Sequence, residues 1–199
     1  IEDKEHSIWT STSNGVAYYK DGQWNTLILD STGKTVYVRY LYFDKDDNLW
    51  IGTRGNGLYK YNDGKVFSYG DFYGMLNKNV WCIIEGDRGY LWMTSNDGVY
   101  AANRIDLINY AEKRSSLVNI RHFDRSDGML SAEFNGGFQA SCLKTSDGRL
   151  WFPNANGPTV VNPKDIDFST KQVPISLIAF RLAGENDGIM INDSLDAIV

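Results

Sequence analysis

The sequence predicts an all-β chain: a partial β-propeller of about three and a half four-stranded blades, followed by the opening strands of a second β domain. Three observations carry that reading. The first is a repeat. Ser7-Ile8-Trp9-Thr10, Asn48-Leu49-Trp50-Ile51-Gly52-Thr53, Tyr90-Leu91-Trp92-Met93-Thr94 and Arg149-Leu150-Trp151-Phe152-Pro153 each lead into a glycine-bearing turn. Their tryptophans are spaced by 41, 42 and 59 residues, and about 40–45 is the period of a propeller blade. The second is local pattern: the runs are short, aromatic and β-branched, and Gly, Asn and Asp punctuate them, which is strand and hairpin chemistry and not a 3.6-residue period. The third is composition. Aromatics make up 14% of 199 residues, with 19 Gly against 4 Pro, which favours a turn-rich β protein.

Taken in order, blade one reads Ile8 to Thr12 and Val16 to Lys20 as a hairpin over Asn14-Gly15, then Gln23 to Leu29 after Asp21-Gly22, with its innermost strand before Ile1. Blade two is whole: Val36 to Phe43, Leu49 to Thr53, Gly57 to Tyr61 and Lys65 to Tyr69. Blade three runs Val80 to Ile84, Leu91 to Thr94 and Gly98 to Ala102. It then carries an insertion, in which Asn103 and Asp106 resemble a capping box and Ile105, Ile108 and Ala111 recur at helical spacing. A helix from Arg104 to about Arg114 is expected, with Leu117 to Phe123 returning as the outer strand. Ala140 to Leu143, Leu150 to Phe152 and Thr159 to Val161 make most of blade four, and Asn162-Pro163-Lys164-Asp165 ends it. A new alternation of Ile175, Leu177, Ala179 and Phe180 then begins.

The four in-register tryptophans, Trp9, Trp50, Trp92 and Trp151, read as structural, packing blade on blade. A net charge of −5 without a Lys/Arg cluster gives no electrostatic footprint for nucleic acid. No run approaches the roughly 18 apolar residues of a membrane span. The opening Ile1-Glu2-Asp3-Lys4-Glu5-His6 has neither initiator Met nor signal-peptide pattern, so the chain reads as a piece of something longer. Cys82 and Cys142 lie ten and nine residues before their blade tryptophans. That one-step offset sends them to opposite strand faces, and they read as buried free thiols.

Little in the sequence points to catalysis. The two histidines, His6 in the opening segment and His122 on a predicted outer strand, have no metal-site companions. Asp44-x-Asp46-x-Asn48 copies the start of a calcium loop, but Leu49 and Gly55 stand where such a loop needs Gly and Glu. A hairpin turn is the simpler reading. Gly52 to Gly57 leads into a strand, not a helix, and is no phosphate loop. Asp87, Glu133 and Asp147 could pair across blades as acid and base, although blade turns need such residues anyway. No catalytic residue, metal or cofactor is assigned.

Loop geometry suggests a binding face. The link after a blade's second strand and the link into the next blade open on one side, which places residues 53–56, 94–97 and 153–156 on a rim with 70–79 and 125–138. Amides, a guanidinium and aromatic rings there suit hydrogen bonding and stacking on sugars. Tight hairpins with positive φ already account for most of the Asn-Gly pairs. The residues singled out as ligand-binding are Arg54, Trp81, Glu133, Asn135 and Asn154.

The phrase Asp44-x-x-x-Asn48-Leu49-Trp50-Ile51-Gly52-Thr53-x-Gly55-x-Gly57-Leu58 closely resembles the two-component regulator propeller repeat, and Gly74-Met75-Leu76 resembles that family's link to the next repeat. The run from Ser126-Asp127-Gly128-Met129-Leu130 through Glu133-Phe134-Asn135-Gly136-Gly137 to Asp147-Gly148-Arg149-Leu150-Trp151-Phe152-Pro153 and Val160-Val161-Asn162-Pro163 resembles the last blade of such propellers. Val173 to Phe180 stands where the family's triple-tyrosine (Y_Y_Y) domain, an immunoglobulin-like β-sandwich, begins. The resemblance divides the chain into a propeller part, 1–165, and the start of that sandwich, 172–199. It implies the periplasmic sensor region of an inner-membrane protein, with a histidine kinase, often hybrid, or a diguanylate cyclase on the cytoplasmic side. It also implies an oligosaccharide or other small-molecule ligand, and a sandwich that relays a change of dimer geometry. The blades here are fewer than the family usually has, and no kinase motif is present, so this segment is expected to be non-catalytic. A propeller enzyme of lyase or glycosidase type and a passive protein-interaction scaffold stay open as alternatives. Open strand edges predict self-association of the segment, apart from any sensor dimer.

Overall fold

The computed structural model describes residues 1–70, 77–136 and 140–169, and the backbone of two short paired strands, 179–180 and 189–190. It divides into two units, Ile1–Ile166 and Asp167–Val199. Most residues of the sandwich expected over 172–199 lie outside the described ones.

The first unit is four antiparallel sheets in chain order. Blade one holds β1 (Ile8–Thr12), β2 (Gly15–Lys20) and β3 (Gln23–Leu27). Blade two holds β4 (Tyr37–Phe43), β5 (Leu49–Arg54), β6 (Leu58–Asn62) and β7 (Lys65–Ser68). Blade three is β8 (Cys82–Glu85), β9 (Tyr90–Thr94), β10 (Val99–Asn103) and, after the helix α1 (Arg104–Ala111), β11 (Ile120–Phe123). Blade four is β12 (Leu143–Lys144), β13 (Leu150–Asn154) and β14 (Gly157–Val161). Each strand pairs with the next in sequence within its sheet, the up-and-down order of a propeller blade.

One turn is built four times at what we term the lower end. The amide at its first position donates to the carbonyl four residues on: Asp3 to Ser7 (3.1 Å), Asp44 to Asn48 (3.0 Å), Gly86 to Tyr90 (3.0 Å) and Thr145 to Arg149 (2.9 Å). Its fourth position has positive φ in every copy, at His6, Asp47, Gly89 and Gly148. His6 is therefore part of an ordered turn and not a loose start. Ile1 and Glu2 run alongside β1: Ile1 exchanges backbone bonds with Trp9 at 2.7 and 2.8 Å, and Glu2 bridges Ile8. At the upper end a hydroxyl closes three hairpins, with Thr12, Thr53 and Ser95 donating to the carbonyls of Gly15, Gly57 and Gly98.

Successive blades pack through the tryptophans. Trp9 stacks on Tyr18 at 4.5 Å and meets Phe43 and Tyr61 of blade two. Trp50 and Trp92 are fully buried and Trp9 nearly so, whereas Trp151 is only half-buried. Gly52 carries no side chain because the next link runs against it: a Cβ there would sit 2.7 Å from the Val80 carbonyl oxygen.

Two expectations need correction. The insertion in blade three is helical, with Asn103 capping the amides of Ile105 and Asp106, but it buries Arg104 and Leu107 and leaves Ile105 exposed. The inward face is set by what Arg104 binds and not by the apolar stripe. The cysteines are not free thiols: Cys82 and Cys142 form a disulfide, Cα to Cα 6.2 Å. Alternation along a strand was the wrong guide, because Cys142 precedes β12 in irregular backbone, where the period of two does not apply. The bond joins the innermost part of blade four to that of blade three, and the Tyr40 hydroxyl of blade two lies 3.5 Å from Cys142 Sγ.

Candidate functional site

The upper rim is held together by backbone bonds between loops and links. Lys78 accepts from the amides of Gly55 (3.0 Å) and Gly57 (2.8 Å), and Thr53 accepts from Val80 (2.8 Å). The link into blade four is stitched to both of its neighbours: Phe134 donates to the Ser95 carbonyl (3.1 Å) and Asn135 to that of Pro153 (3.3 Å). Extended backbone alternates there, so Phe134 points inward, buried against Phe152, while Glu133 and Asn135 on either side are exposed.

Trp81 stands at the centre of this rim. Its indole N–H donates to Asn96 Oδ1 at 2.6 Å, its amide bonds the Thr94 carbonyl, and its carbonyl accepts from Ser141 Oγ. Gly136 lies directly on the ring; a Cβ there would come within 2.6–2.7 Å of Trp81 Cγ, Cδ2 and Cβ. The contact therefore requires glycine, and it fixes the ring beside Asn135. Trp81 is half-buried and keeps part of its surface open. The rim thus gathers Trp81, Asn96, Glu133 and Asn135, while Arg54 sits exposed at the end of β5, one blade over. Asn154 belongs elsewhere. It is 8% exposed, and its side chain is taken up by Thr159 Oγ1 (2.7 Å), the Ser131 carbonyl (3.5 Å) and the Asn156 amide (2.9 Å). It borders a cleft of about 530 Å³ between blades three and four instead, with Arg121, Phe123 and Met129.

His122 has companions that spacing did not reveal. Its Nε2 lies 3.0 Å from the Asp97 carbonyl and 3.9 Å from Asp97 Oδ1, and its ring stacks on Tyr100 at 4.4 Å. Asp97 also receives Ser95 Oγ and the Tyr100 hydroxyl. The Asp97 carboxylate stands between serine and imidazole, so the Ser95 hydroxyl donates to Asp97 and not to His122. Of Asp87, Glu133 and Asp147, two share the lower end: Asp87 of blade three pairs with Lys144 and lies against Gly148, next to Asp147, and Asp147 is taken up by Arg149. Glu133 is on the upper rim and does not join them. Thr145 and Arg149 hold the Asp147 carboxyl well below the usual range, at about 2.

The strongest electrostatic feature went unread in the sequence. Asp44 Oδ1 accepts from the amides of Asp46 and Asn48, and Oδ2 from Trp50 Nε1 (2.8 Å) and Arg104 (3.2 Å). Arg104, 3% exposed, also reaches Asp46 (2.7 Å) and Glu85 (3.1 Å). Burial works against its charge, but the carboxylates of Asp46, Asp44 and Glu85 outweigh that, and its pKa is raised. The calcium-like stretch is thus answered by a guanidinium from the next blade. A signal existed: an arginine right after a helix cap opposes the helix dipole and implies a carboxylate partner.

Comparison with known proteins agrees with this architecture. The profile of the two-component regulator propeller family matches residues 32–55, which are blade two from its inner strand to its upper loop. A histidine kinase, P4 of Formosa agariphila, is 23% identical over 92% of this chain, which spans only 13% of that protein's length. Two extracellular domains assigned to hybrid two-component systems of B. thetaiotaomicron superpose with TM-scores of 0.61 and 0.63 at 22% and 19% identity, each over 82% of this chain and 22% and 23% of theirs. Virginiamycin B lyase of Staphylococcus aureus shares the fold at a TM-score of 0.52 and 17% identity, over 83% of this chain and 55% of the lyase.

Proposed function

We propose that this chain is a ligand-recognition segment in the extracytoplasmic sensor of a two-component protein, and that it binds a carbohydrate at the upper rim. The observation that carries the reading is the Trp81 platform: a half-buried indole fixed by Gly136 and Asn96, with Glu133 and Asn135 exposed on the same link that brings Gly136 to the ring. Stacking on a pyranose face and bidentate hydrogen bonding to vicinal hydroxyls need those groups side by side. The regulator-propeller repeat and the sensor relatives support the signalling context. The Cys82–Cys142 disulfide supports a location outside the cytoplasm, since such bonds persist in oxidising compartments such as the periplasm. In the whole protein, the domain after Ile166 would pass the signal toward a membrane-anchored kinase or cyclase. The segment itself is read as non-catalytic.

The test is calorimetric titration of the chain with neutral and uronate-containing oligosaccharides. At least one should bind, and Trp81→Ala should weaken it by about tenfold or more, about 1.4 kcal/mol, with a cooperative melt retained. Equal affinity in the Trp81→Ala protein would place the ligand elsewhere. A chain that turns over a panel member would favour the lyase-type reading.

A further inference from the structure

We propose that the cleft between blade two and α1 is a second binding site, and that it takes a small carboxylate with an aromatic or apolar body, the carboxylate on Lys60 and the body against Phe67. Register sets out the floor of this cleft. Lys60 pairs Trp50 on one side and Phe67 on the other, and Asn62 pairs Lys65. The alternate residues, Tyr61 and Val66, pack toward Trp9 of blade one. Lys60, Asn62, Lys65 and Phe67 therefore lie on the face turned to blade three. The inserted helix covers that face without filling it. Phe67 meets Tyr110 edge-on at 6.0 Å, and the Tyr69 hydroxyl donates to the Leu107 carbonyl at 2.8 Å. Beside these contacts a cleft of about 670 Å³ stays open, with Ile108 and Ala111 on its helix side.

A lysine on a sheet face ordinarily carries its ammonium out to water, but Lys60 is only 8% exposed. An ammonium has three protons to donate. Among the described residues Nζ makes one bond, a long one of 3.4 Å to Asn48 Oδ1, which already accepts from Asn62 Nδ2 at 2.9 Å. The nearby carboxylates are engaged elsewhere: Asp44 and Asp46 hold Arg104, and Glu112 holds Arg114. The last turn of α1 is also closed on itself, with the amides of Glu112, Lys113 and Arg114 on the carbonyls of Ile108, Tyr110 and Asn109. Burial holds the Lys60 pKa below the usual lysine range, against the pull of Glu112 and Asp44. A buried cation so poorly matched is unfavourable until an anion joins it. That anion should carry a single charge, because Asp46, Asp63 and Glu112 on the walls repel a dianion. Phe67, Ile108 and Ala111 suit its apolar body. The cleft is at the lower end, away from Trp81, so its test does not depend on carbohydrate binding at the rim.

Sodium benzoate is the probe, with sodium chloride at equal ionic strength as the control, and the readout is NMR of the chain with isotope-labelled lysine side chains. The Lys60 resonance, assigned by its loss in Lys60→Met, should shift saturably with benzoate, and its titration should move to higher pH. Lys60→Met should bind benzoate at least about tenfold more weakly in calorimetry. Ala111→Phe, which fills the cleft from the helix side and leaves the ammonium in place, should abolish the Lys60 shift; circular dichroism melts check that both variants fold. A Lys60 resonance unmoved by benzoate, equal affinity in Lys60→Met, or a shift that persists in Ala111→Phe would each overturn the proposal. Tighter binding of sodium phosphate than of benzoate would overturn the carboxylate assignment.

Discussion

Blades one and two fasten their tryptophans differently from blades three and four, although all four share one turn. In the first pair the turn opens with aspartate, and the carboxylate clasps the indole N–H six residues on: Asp3 to Trp9 at 2.7 Å and Asp44 to Trp50 at 2.8 Å. In the second pair the same position is Gly86 or Thr145. Gly86 leaves room for Trp92 Nε1, 3.0 Å from where a Cβ would be, and Trp151 Nε1 is buried without a hydrogen-bond partner among the described residues. The Cys82–Cys142 bond joins these two blades instead. The repeat thus dictates backbone, while the attachment of one blade to the next is solved locally, by charge in one half and by covalency in the other.

The comparison can be broken where it is strongest. Asp44→Ala removes the acceptor of Trp50 and strips a carboxylate from buried Arg104, and should cost about 3–5 kcal/mol; a denaturant-melt loss under 1 kcal/mol would contradict the hub. Cys82→Ser tests the other half. With a sequence separation of 60 between the cysteines, losing the bond should cost about 2–4 kcal/mol, and dithiothreitol should then leave the variant's melting temperature unchanged. Asp3→Asn, at a partly exposed clasp, should cost about 1–2 kcal/mol.

A converse change sharpens the contrast. Thr145→Asn offers an oxygen acceptor opposite Trp151 without setting a second carboxylate against Asp147, which the Thr145 hydroxyl contacts at 2.6 Å, and should stabilise by about 1 kcal/mol; destabilisation would show that the two halves differ in more than this residue. The smallest effect is on pH dependence. Asp147 has a folded pKa of about 2, below its unfolded value of about 3.9. Its contribution is therefore present above pH 4 and is lost as pH falls toward 2. Asp147→Asn should flatten the melting curve over that window alone.

Much of this was legible in the sequence, and the failures share a cause. Tryptophan spacing gave the blades, and Asn14-Gly15, Asp46-Asp47-Asn48 and Asp63-Gly64 gave the turns, because strand alternation and turn chemistry are local. Loop geometry likewise puts Asn135 on the same link as Gly136, because which loops open together is also a local property. What could not be read depends on contacts between blades. Arg104 lies 60 residues from Asp44, and Cys142 lies 60 from Cys82. Asn154, expected on the rim, is held by Thr159 and Ser131 beside the cleft between blades three and four.

The central claim is that the Trp81 platform recognises the ligand, and 5-fluorotryptophan NMR tests it most directly. The chain has six tryptophans, each a separate fluorine reporter, assignable by substitution. On titration with the oligosaccharide found by calorimetry, the Trp81 resonance should shift saturably while Trp9, Trp50 and Trp92, buried between blades, stay in place. A saturable shift at Trp24 or Trp151 with Trp81 unmoved would contradict the account and move the site to the end blades.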